Sequence, residues 1–350
     1  MHTPTIDIVV PVWNSPFETR ACLAAILEHT PGARLIIVDN GSSRETELML
    51  EEFSESLAEN GLFIKSERNV GLVPAVNMGL ARSDSDLVAI VRPHVQIGPG
   101  WLGPLMEAAQ HPLAGIVTPC FVGAEAPHQP QMTRGCTLME TCDLAFSAML
   151  LKNEMRMLIG GFDEAMDGGE WCLRDYARRA HARGYRVSVS ARTQLVCGSE
   201  TLYGSPERRQ EMEQTSRAIF RERWGVQRHY AVYFGAAQDA GALIDTVEAT
   251  VEAARRGHRF TLFLHRKQYR EFCRRGWNGL HTNISLVKLA LLRSERDLIR
   301  KMAALQAEEP ALVAVRGTDG VPFPGVATTL PFAEIARAVV APLSTQKEVV

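Results

Sequence analysis

An α/β fold is what this sequence predicts: a mostly parallel sheet flanked by helices, with a second, smaller α/β domain behind it. Short apolar runs that stop at polar or Pro/Gly turns alternate with segments of 3.6-residue apolar spacing. The alternation becomes irregular in the middle of the chain and restarts beyond about His229. A length of 350 residues leaves room for about two domains at ~150 residues each. The expected division is therefore 1–228 and 229–350.

Each element has its own signal. Ile6–Pro11 is an apolar run with an abrupt Pro stop, a buried strand. Pro16–His29 spaces Cys22, Leu23, Ile26 and Leu27 as one helical face. Arg34–Val38 is a second buried strand ending at Asp39-Asn40-Gly41. Ser42-Ser43-Arg44-Glu45 has the spacing of a capping box and opens a helix through about Ala58. Leu62–Ser66 reads as a strand, Val73–Arg82 as a helix and Leu87–Val91 as a strand. Pro99–Gln110 is expected to be helical, Gly115–Thr118 a strand and Gly123–Met132 a polar loop. Ala145–Leu151 is apolar; Glu170–Arg183 reads as a helix stopped by Gly184, before strand Tyr185–Val189. A charged helix over Pro206–Trp224 leads to Gly225. Strands Tyr230–Phe234, Phe260–His265, Ile284–Val287 and Ala311–Val315 then alternate with helices Ala240–Arg255, Lys267–Arg275 and Arg293–Leu305.

Composition narrows the class. Thirty-eight Lys+Arg against 40 Asp+Glu give a net charge of −2, so no strong overall field recruits nucleic acid. Hydrophobic residues at 46% and charged residues at 22% are enough for a packed core. No run approaches the ~20 apolar residues of a membrane helix, and Met1–Asp7 lacks the pattern of a signal peptide. Seven dispersed cysteines without Cys-x-x-Cys argue against a disulfide framework or a zinc ribbon and fit a reducing cytosol. A cytoplasmic location is therefore expected.

In parallel sheets, ligands bind outside the carboxyl ends of the strands. Those ends are Pro11–Asn14, Asp39–Ser43, Glu67–Gly71 and Arg92–His94, all polar or turn-forming. Asp39 can accept hydrogen bonds from an imide N–H and a ribose hydroxyl, or can cap its own turn. Gly71, opening a helix, leaves amides for phosphate. Asn69 and Asn77 either join that site or secure the fold.

Several of these stretches resemble a known family. Ile8-Val9-Val10-Pro11-Val12-Trp13-Asn14 resembles the opening of inverting family-two glycosyltransferases of GT-A fold. Ile36–Ser43 resembles their second strand and acidic turn, and Asn69-Val70-Gly71 with Ala75 and Asn77-x-Gly79 their third landmark. Pro99-Gly100-Trp101-Leu102, Gly160-Gly161-Phe162-Asp163-Glu164 and Gly184-Tyr185-Arg186-Val187 follow in the family's order across residues 6–200. The resemblance implies a GT-A-like domain in which Pro11, Val12, Trp13, Asn14, Asp39, Asn69, Gly71 and Asn77 hold a nucleotide-sugar donor of UDP or dTDP type. It places Gly161 and Asp163 on the side of a glycan or other hydroxyl acceptor. A hexosyl transfer in polysaccharide biosynthesis, with peripheral membrane contact, suits such a protein.

The sequence departs from the family at the metal. Counting back from Pro99 puts the family's Asp-x-Asp triplet on Arg92-Pro93-His94, and its later His on Cys197. Mg²⁺ or Mn²⁺, usual in the family, would find no carboxylate here, so no metal cofactor is expected; His94 and Cys197 leave a softer ion open. Arg92 either binds diphosphate directly, giving Arg92 and His94 a place in the donor site, or pairs with a nearby carboxylate. The family's catalytic Glu-Asp pair falls on Cys172-Leu173. Glu170 and Asp175 become the candidate bases, with Asp167 nearby; the alternative for Glu170 and Asp175 is helix N-terminal charge. Arg255–Arg259 and His265–Arg275 form a basic cluster that suits a lipid phosphate or a solvated face. The resulting expectation is metal-independent, inverting glycosyl transfer. A non-catalytic binding or scaffold protein is the alternative, and nucleotidyl transfer a third class that would need carboxylates for its metal.

Overall fold

The computed structural model describes residues 4–57, 60–123, 126–127, 132–200 and 204–340. Met1–Thr3, Ala58 and much of the loop expected over Gly123–Met132 (124–125 and 128–131) lie outside the described residues. The chain divides into two compact units: Met1–Gln131 with Gly135–Gly225, and Met132–Arg134 with Val226–Val350.

The first unit is built on strands β1 (Ile6–Val12), β2 (Arg34–Asn40), β3 (Gly61–Ser66) and β4 (Leu87–Val91). They pair in parallel in the order β3-β2-β1-β4, with Val9 opposite Ile36 and Ile90. Beyond β4 come β8 (Ala148–Lys152), β6 (Ala114–Val122), β9 (Arg186–Cys197) and β5 (Val95–Gln96). Here β8 runs antiparallel to β4 and β6, and β9 parallel to β6. β7 (Leu138–Glu140) pairs with β9. Alternation along β1 sends Ile8, Val10 and Val12 to one face and Val9 to the other. The first face packs against α1 (Pro16–His29) through Cys22, Leu23 and Ile26, α2 (Arg44–Leu57) through Leu50, and α4 (Gly103–Ala109) through Leu105. The opposite face buries α3 (Leu72–Leu80) through Val73 and Val76, α5 (Asn153–Ile159) through Met155, α6 (Trp171–Ala182) through Tyr176 and α7 (Pro206–Trp224) through Phe220. The result is a three-layer α/β/α unit.

In the first unit, β6 runs from Ala114 to Val122 rather than over Gly115–Thr118, and α5, β5 and β7 are additional to the expected elements; two further differences have a local cause. The helix expected over Pro99–Gln110 starts only at Gly103, because Gly98-Pro99-Gly100 makes a turn in which Gly100 has φ 71°. The strand expected over Tyr185–Val189 runs on to Cys197, half of its later residues facing solvent as it crosses β6 and β5.

The second unit is an all-parallel sheet ordered β12-β11-β10-β13-β14. These strands are β10 (His229–Tyr233), β11 (Arg259–Leu264), β12 (Ile284–Lys288), β13 (Val313–Arg316) and β14 (Leu330–Pro331). Helices α8 (Ile244–Arg255), α9 (Arg266–Arg274) and α11 (Phe332–Val340) flank it with α10 (Ser294–Glu308). Val247, Phe272 and Ile335 pack on one face of this sheet; Leu298 and Met302 of α10 belong to a separate cluster with Phe263. The helix expected from Ala240 is a 3-10 turn over Ala240–Leu243, capped by the Asp239 carboxylate, before α8 begins.

Candidate functional site

A cavity of ≈ 290 Å³ lies in the first unit where Pro11, Val12 and Trp13 leave β1, Asn40 ends β2 and Arg92 follows β4. This is the carboxyl-end position at which α/β sheets bind ligands. Asn69–Val73 forms one wall, Asp167–Gly169 another, and Arg208, Arg209 and Met212 of α7 a third; Phe146 and Glu200 complete the lining. Cations from two distant stretches of chain, Arg92 and the Arg208–Arg209 pair, therefore line the same space.

The turn after β1 is held by polar contacts. Asn14 and Ser15 adopt left-handed φ values of 58° and 55°. The Asn14 amide donates to Ser42 Oγ at 2.9 Å, and the Ser43 amide donates to Asn14 Oδ1 at 2.8 Å. Asp39, 1% exposed, accepts from the Ser42 amide at 3.0 Å. Neither Asn14 nor Asp39 lines the cavity. Of the two readings of Asp39, the structure shows the turn cap, its Oδ1 accepting the Ser42 amide in the turn that positions Pro11–Trp13.

Gly71 lines the cavity, but its amide is engaged within the protein. Its amide is not free for phosphate but donates to Asn69 Oδ1 at 2.9 Å. Asn69 Oδ1 also receives Asn40 Nδ2 at 3.3 Å, while Asn40 Oδ1 accepts the Val70 amide. The next amides of the helix N-terminus, Leu72 and Val73, donate to the Asp167 carboxylate, Val73 at 2.9 Å. Gly71 has φ 105°, and a Cβ there would sit 2.0 Å from Asp167 Oδ2, so only glycine admits this contact. Asp167 is displaced upward, from 3.8 to about 6, by burial against the opposing pull of those amides. Gly168 permits the approach from the other side, since a Cβ there would strike the Met212 backbone at 2.4 Å.

The triplet position is fixed between two strands. The Arg92 amide donates to the Ser147 carbonyl at 3.0 Å, and the Gly198 amide to the His94 carbonyl at 2.8 Å. Arg92 Nη1 pairs with Glu200, while Arg92 Nε is buried and has no hydrogen-bond partner among the described residues. Of the two readings of Arg92, the structure thus shows the carboxylate pairing, and it does so on the cavity wall. His94 Nε2 lies 3.1 Å from Ser147 Oγ, and burial, with Arg92 adding to it, lowers its pKa to about 4. The Cys197 thiol is pushed up by burial and shares Ser147. A guanidinium, a neutral imidazole and a protonated thiol do not suit Mg²⁺ or Mn²⁺, which take oxygen ligands. No group of three His, Cys, Asp or Glu positioned for a metal occurs among the described residues.

The remaining candidates stand in the packing. Asn77 receives the Phe162 amide and donates to the Phe162 carbonyl and Glu164 Oε1, each at 2.9 Å, so it clasps α3 to the Gly160–Glu164 turn. Gly161 is pressed against that side chain, with Asn77 Oδ1 2.7 Å from where a Cβ would be. Asp163 pairs with Arg223 at 2.7 Å, and burial is outweighed by that partner and the Ala165 amide, lowering its pKa. Glu170 pairs with Arg174 at 2.8 Å and lines no part of the cavity. Asp175 is fully buried, accepting from Arg179, Arg223 and Trp224 at 2.7–2.8 Å. It is the anionic centre that ties α6 to α7, and it does not line the cavity. Glu200, Arg208 and Arg209 were not anticipated. Glu200 lies three residues beyond Cys197, and that proximity to the family's His position was the available signal; the arginines sit in the first turn of a helix whose sequence resembles only a charged surface.

Residues 7–159 match Glycosyl transferase family 2. The chain is 28% identical over 121 residues to polypeptide N-acetylgalactosaminyltransferase 4 of Mus musculus, covering 33% of this chain and 21% of that protein. It is 26% identical over 127 residues to probable polypeptide N-acetylgalactosaminyltransferase 8 of Homo sapiens, covering 34% and 20%. The chain thus spans about a fifth of the length of these relatives. GalNAc-T7, solved with UDP, GalNAc and Mn²⁺, superposes with a TM-score of 0.53 at 15% identity over 63% of this chain and 48% of that one. The mannosyltransferase PcManGT from Pyrobaculum calidifontis, solved with GDP-Man and Mn²⁺, gives 0.50 at 16% identity over 89% and 82%. The fold of the first unit is GT-A, and residues 7–159 match the family-two glycosyltransferase model.

Proposed function

We propose that the first unit transfers a sugar, of hexosyl type, from a nucleoside diphosphate donor to a hydroxyl acceptor with inversion and without a divalent metal. The observation that carries this reading is Arg92 on the cavity wall at the triplet position, facing the same space as Arg208 and Arg209. Guanidinium groups bind diphosphate through paired N–H donors and remain charged throughout. In this reading the base, uracil or thymine, rests against Trp13, and the three arginines meet the charge that develops on the leaving diphosphate. Asp167 supplies the carboxylate. It lines the cavity and its pKa of about 6 suits a group that takes a proton from an acceptor hydroxyl near neutrality. The acceptor oxygen then attacks the anomeric carbon as the diphosphate departs, a single displacement that inverts the centre.

A second reading, a binding or scaffold protein without turnover, draws on a specific observation. Asp175 and Glu170 are committed to ion pairs, and Glu200 already occupies Arg92. Titration with UDP-, dTDP- and GDP-sugars in EDTA and in Mn²⁺, followed by assay for donor hydrolysis and transfer, separates the two. Binding in EDTA with slow hydrolysis supports transfer, and binding without any turnover supports the scaffold. Binding that appears only with Mn²⁺ overturns the metal-free site.

A further inference from the structure

We infer that the second unit carries a docking surface for an anionic lipid bilayer, centred on Leu291 and Leu292. The stretch from Arg266 to Lys301 holds ten Lys and Arg against Glu271, Glu295 and Asp297, a net of +7 in a chain whose total is −2. The opposing charges are largely committed. Glu271 pairs with Arg274 and Arg275, and Asp297 with Arg300 and Lys301; Glu295 is exposed and makes no ion pair among the described residues. Arg266, Lys267, Arg270, Arg293 and Arg296 are exposed and make no ion pair among the described residues.

The topology gathers part of this charge around two apolar side chains. β11 and β12 pair in parallel with Leu264 opposite Lys288, so the segments that follow them leave the same edge of the sheet side by side. One opens α9 with Arg266 and Lys267. The other is the tip Leu289–Arg293, where Leu291 is 69% and Leu292 80% exposed. Lys288 Nζ stands 5.6 Å from the centre of the Tyr269 ring, joining the tip to α9. The tip is anchored: the Leu289 amide donates to the Leu264 carbonyl, the Ala290 amide to Asp297 Oδ2, and Lys301 Nζ to the Lys288 carbonyl. Leu289 is 2% exposed and Arg293 has φ 56°, so the chain turns sharply to hold the next two leucines out in water.

Cations alone would suit any polyanion. Adjacent leucines held at the centre of the cationic rim favour a bilayer, where the side chains enter the acyl boundary and the Lys and Arg heads meet lipid phosphate. This is surface attachment; no helix of the described residues is long and apolar enough to cross a membrane.

The test is flotation of the whole protein with vesicles of phosphatidylcholine alone and with about 30 mol% phosphatidylglycerol added. Binding is expected to the anionic vesicles, at least about tenfold stronger than to the neutral ones, and to weaken with salt. Leu291→Ser with Leu292→Ser should weaken it about tenfold. Arg266→Gln, Lys267→Gln and Arg270→Gln should each weaken it about fivefold. All five side chains are exposed, so the variants should retain the parent's circular dichroism and melting temperature. Equal binding to neutral vesicles, or none to either, overturns the inference. So does a leucine variant that binds as the parent does, and so does preferential binding to RNA or heparin abolished by the arginine changes alone.

Discussion

Arg92 has two claims on it. In the unliganded protein Glu200 holds its Nη1, and in the proposed complex the donor diphosphate takes that place. Removing the guanidinium removes the contact: Arg92→Ala should weaken UDP binding by about 1.5–3 kcal/mol, the worth of a hydrogen bond to a charged group. Glu200→Gln should act in the opposite direction, because it takes away a competing carboxylate while leaving the guanidinium in place. Calorimetric titration with UDP in EDTA reads both effects. Weaker binding in Glu200→Gln would mean that Glu200 orients Arg92 rather than competing for it. Asp167 makes the second residue-scale prediction. Its folded pKa of about 6 exceeds the unfolded 3.8, so the folded state holds the extra proton between those values. That contribution to stability is full below about pH 4 and is lost as pH rises through 6, on the order of 3 kcal/mol. Asp167→Asn should flatten this part of the stability–pH curve in denaturant melts from pH 4 to 7. In turnover the sign is reversed: the proposed base works only when ionised, so kcat should rise through about pH 6 and collapse in Asp167→Asn. Stability and activity that both ignore the substitution would remove Asp167 from the site.

At the scale of elements, α3 is gripped at both ends, by Asp167 at its first amides and by Asn77 against the Gly160–Glu164 turn. Asn77→Ala would leave the Phe162 amide and carbonyl without their partner, at a cost of about 1–3 kcal/mol in chemical melts. UDP affinity should change far less, since Asn77 does not line the cavity; a loss of affinity at unchanged stability would return Asn77 to the donor site. The elements themselves were legible because alternation of apolar runs reports burial directly: Pro16–His29, Leu87–Val91 and Pro206–Trp224 appear where the pattern put them. The side-chain roles were less legible. Asp39, Asn77 and Asp175 have residue types that suit ligand chemistry; Asp39 accepts the Ser42 amide three positions on, while Asn77 and Asp175 meet partners far away in sequence. Asn77 meets Phe162, and Asp175 meets Arg223, across 85 and 48 positions. Local pattern carries no information about such partners. The same blindness hid the cavity's arginines: Arg208 and Arg209 reach the site only because α7 packs beside the Asp167–Gly169 loop, a contact that Gly168 permits.

The described residues of the whole molecule form two sheets, each with its own buried clusters. A cooperative unit needs a core that its own elements complete, and both satisfy that condition. We propose that they unfold as two transitions, with the boundary near residues 225–229. Asp175 offers a marker for one of them. It is buried at the meeting of Arg179, Arg223 and Trp224, all in the first unit. Asp175→Asn removes the anion shared by Arg179 and Arg223, leaving Arg223 with Asp163 alone, and breaking a buried pair costs about 3–5 kcal/mol. At about 2–4 °C per kcal/mol for a unit of this size, one calorimetric transition should fall by roughly 10 °C. The other should stay within about a degree if its core is energetically independent of Asp175. A mutation confined to the second core, Phe272→Ala, should shift the complementary transition by removing a fully packed ring, at about 3–5 kcal/mol. Should either substitution move both transitions together, or should the protein melt as one, the two sheets form a single cooperative structure and the proposed boundary is not a folding boundary.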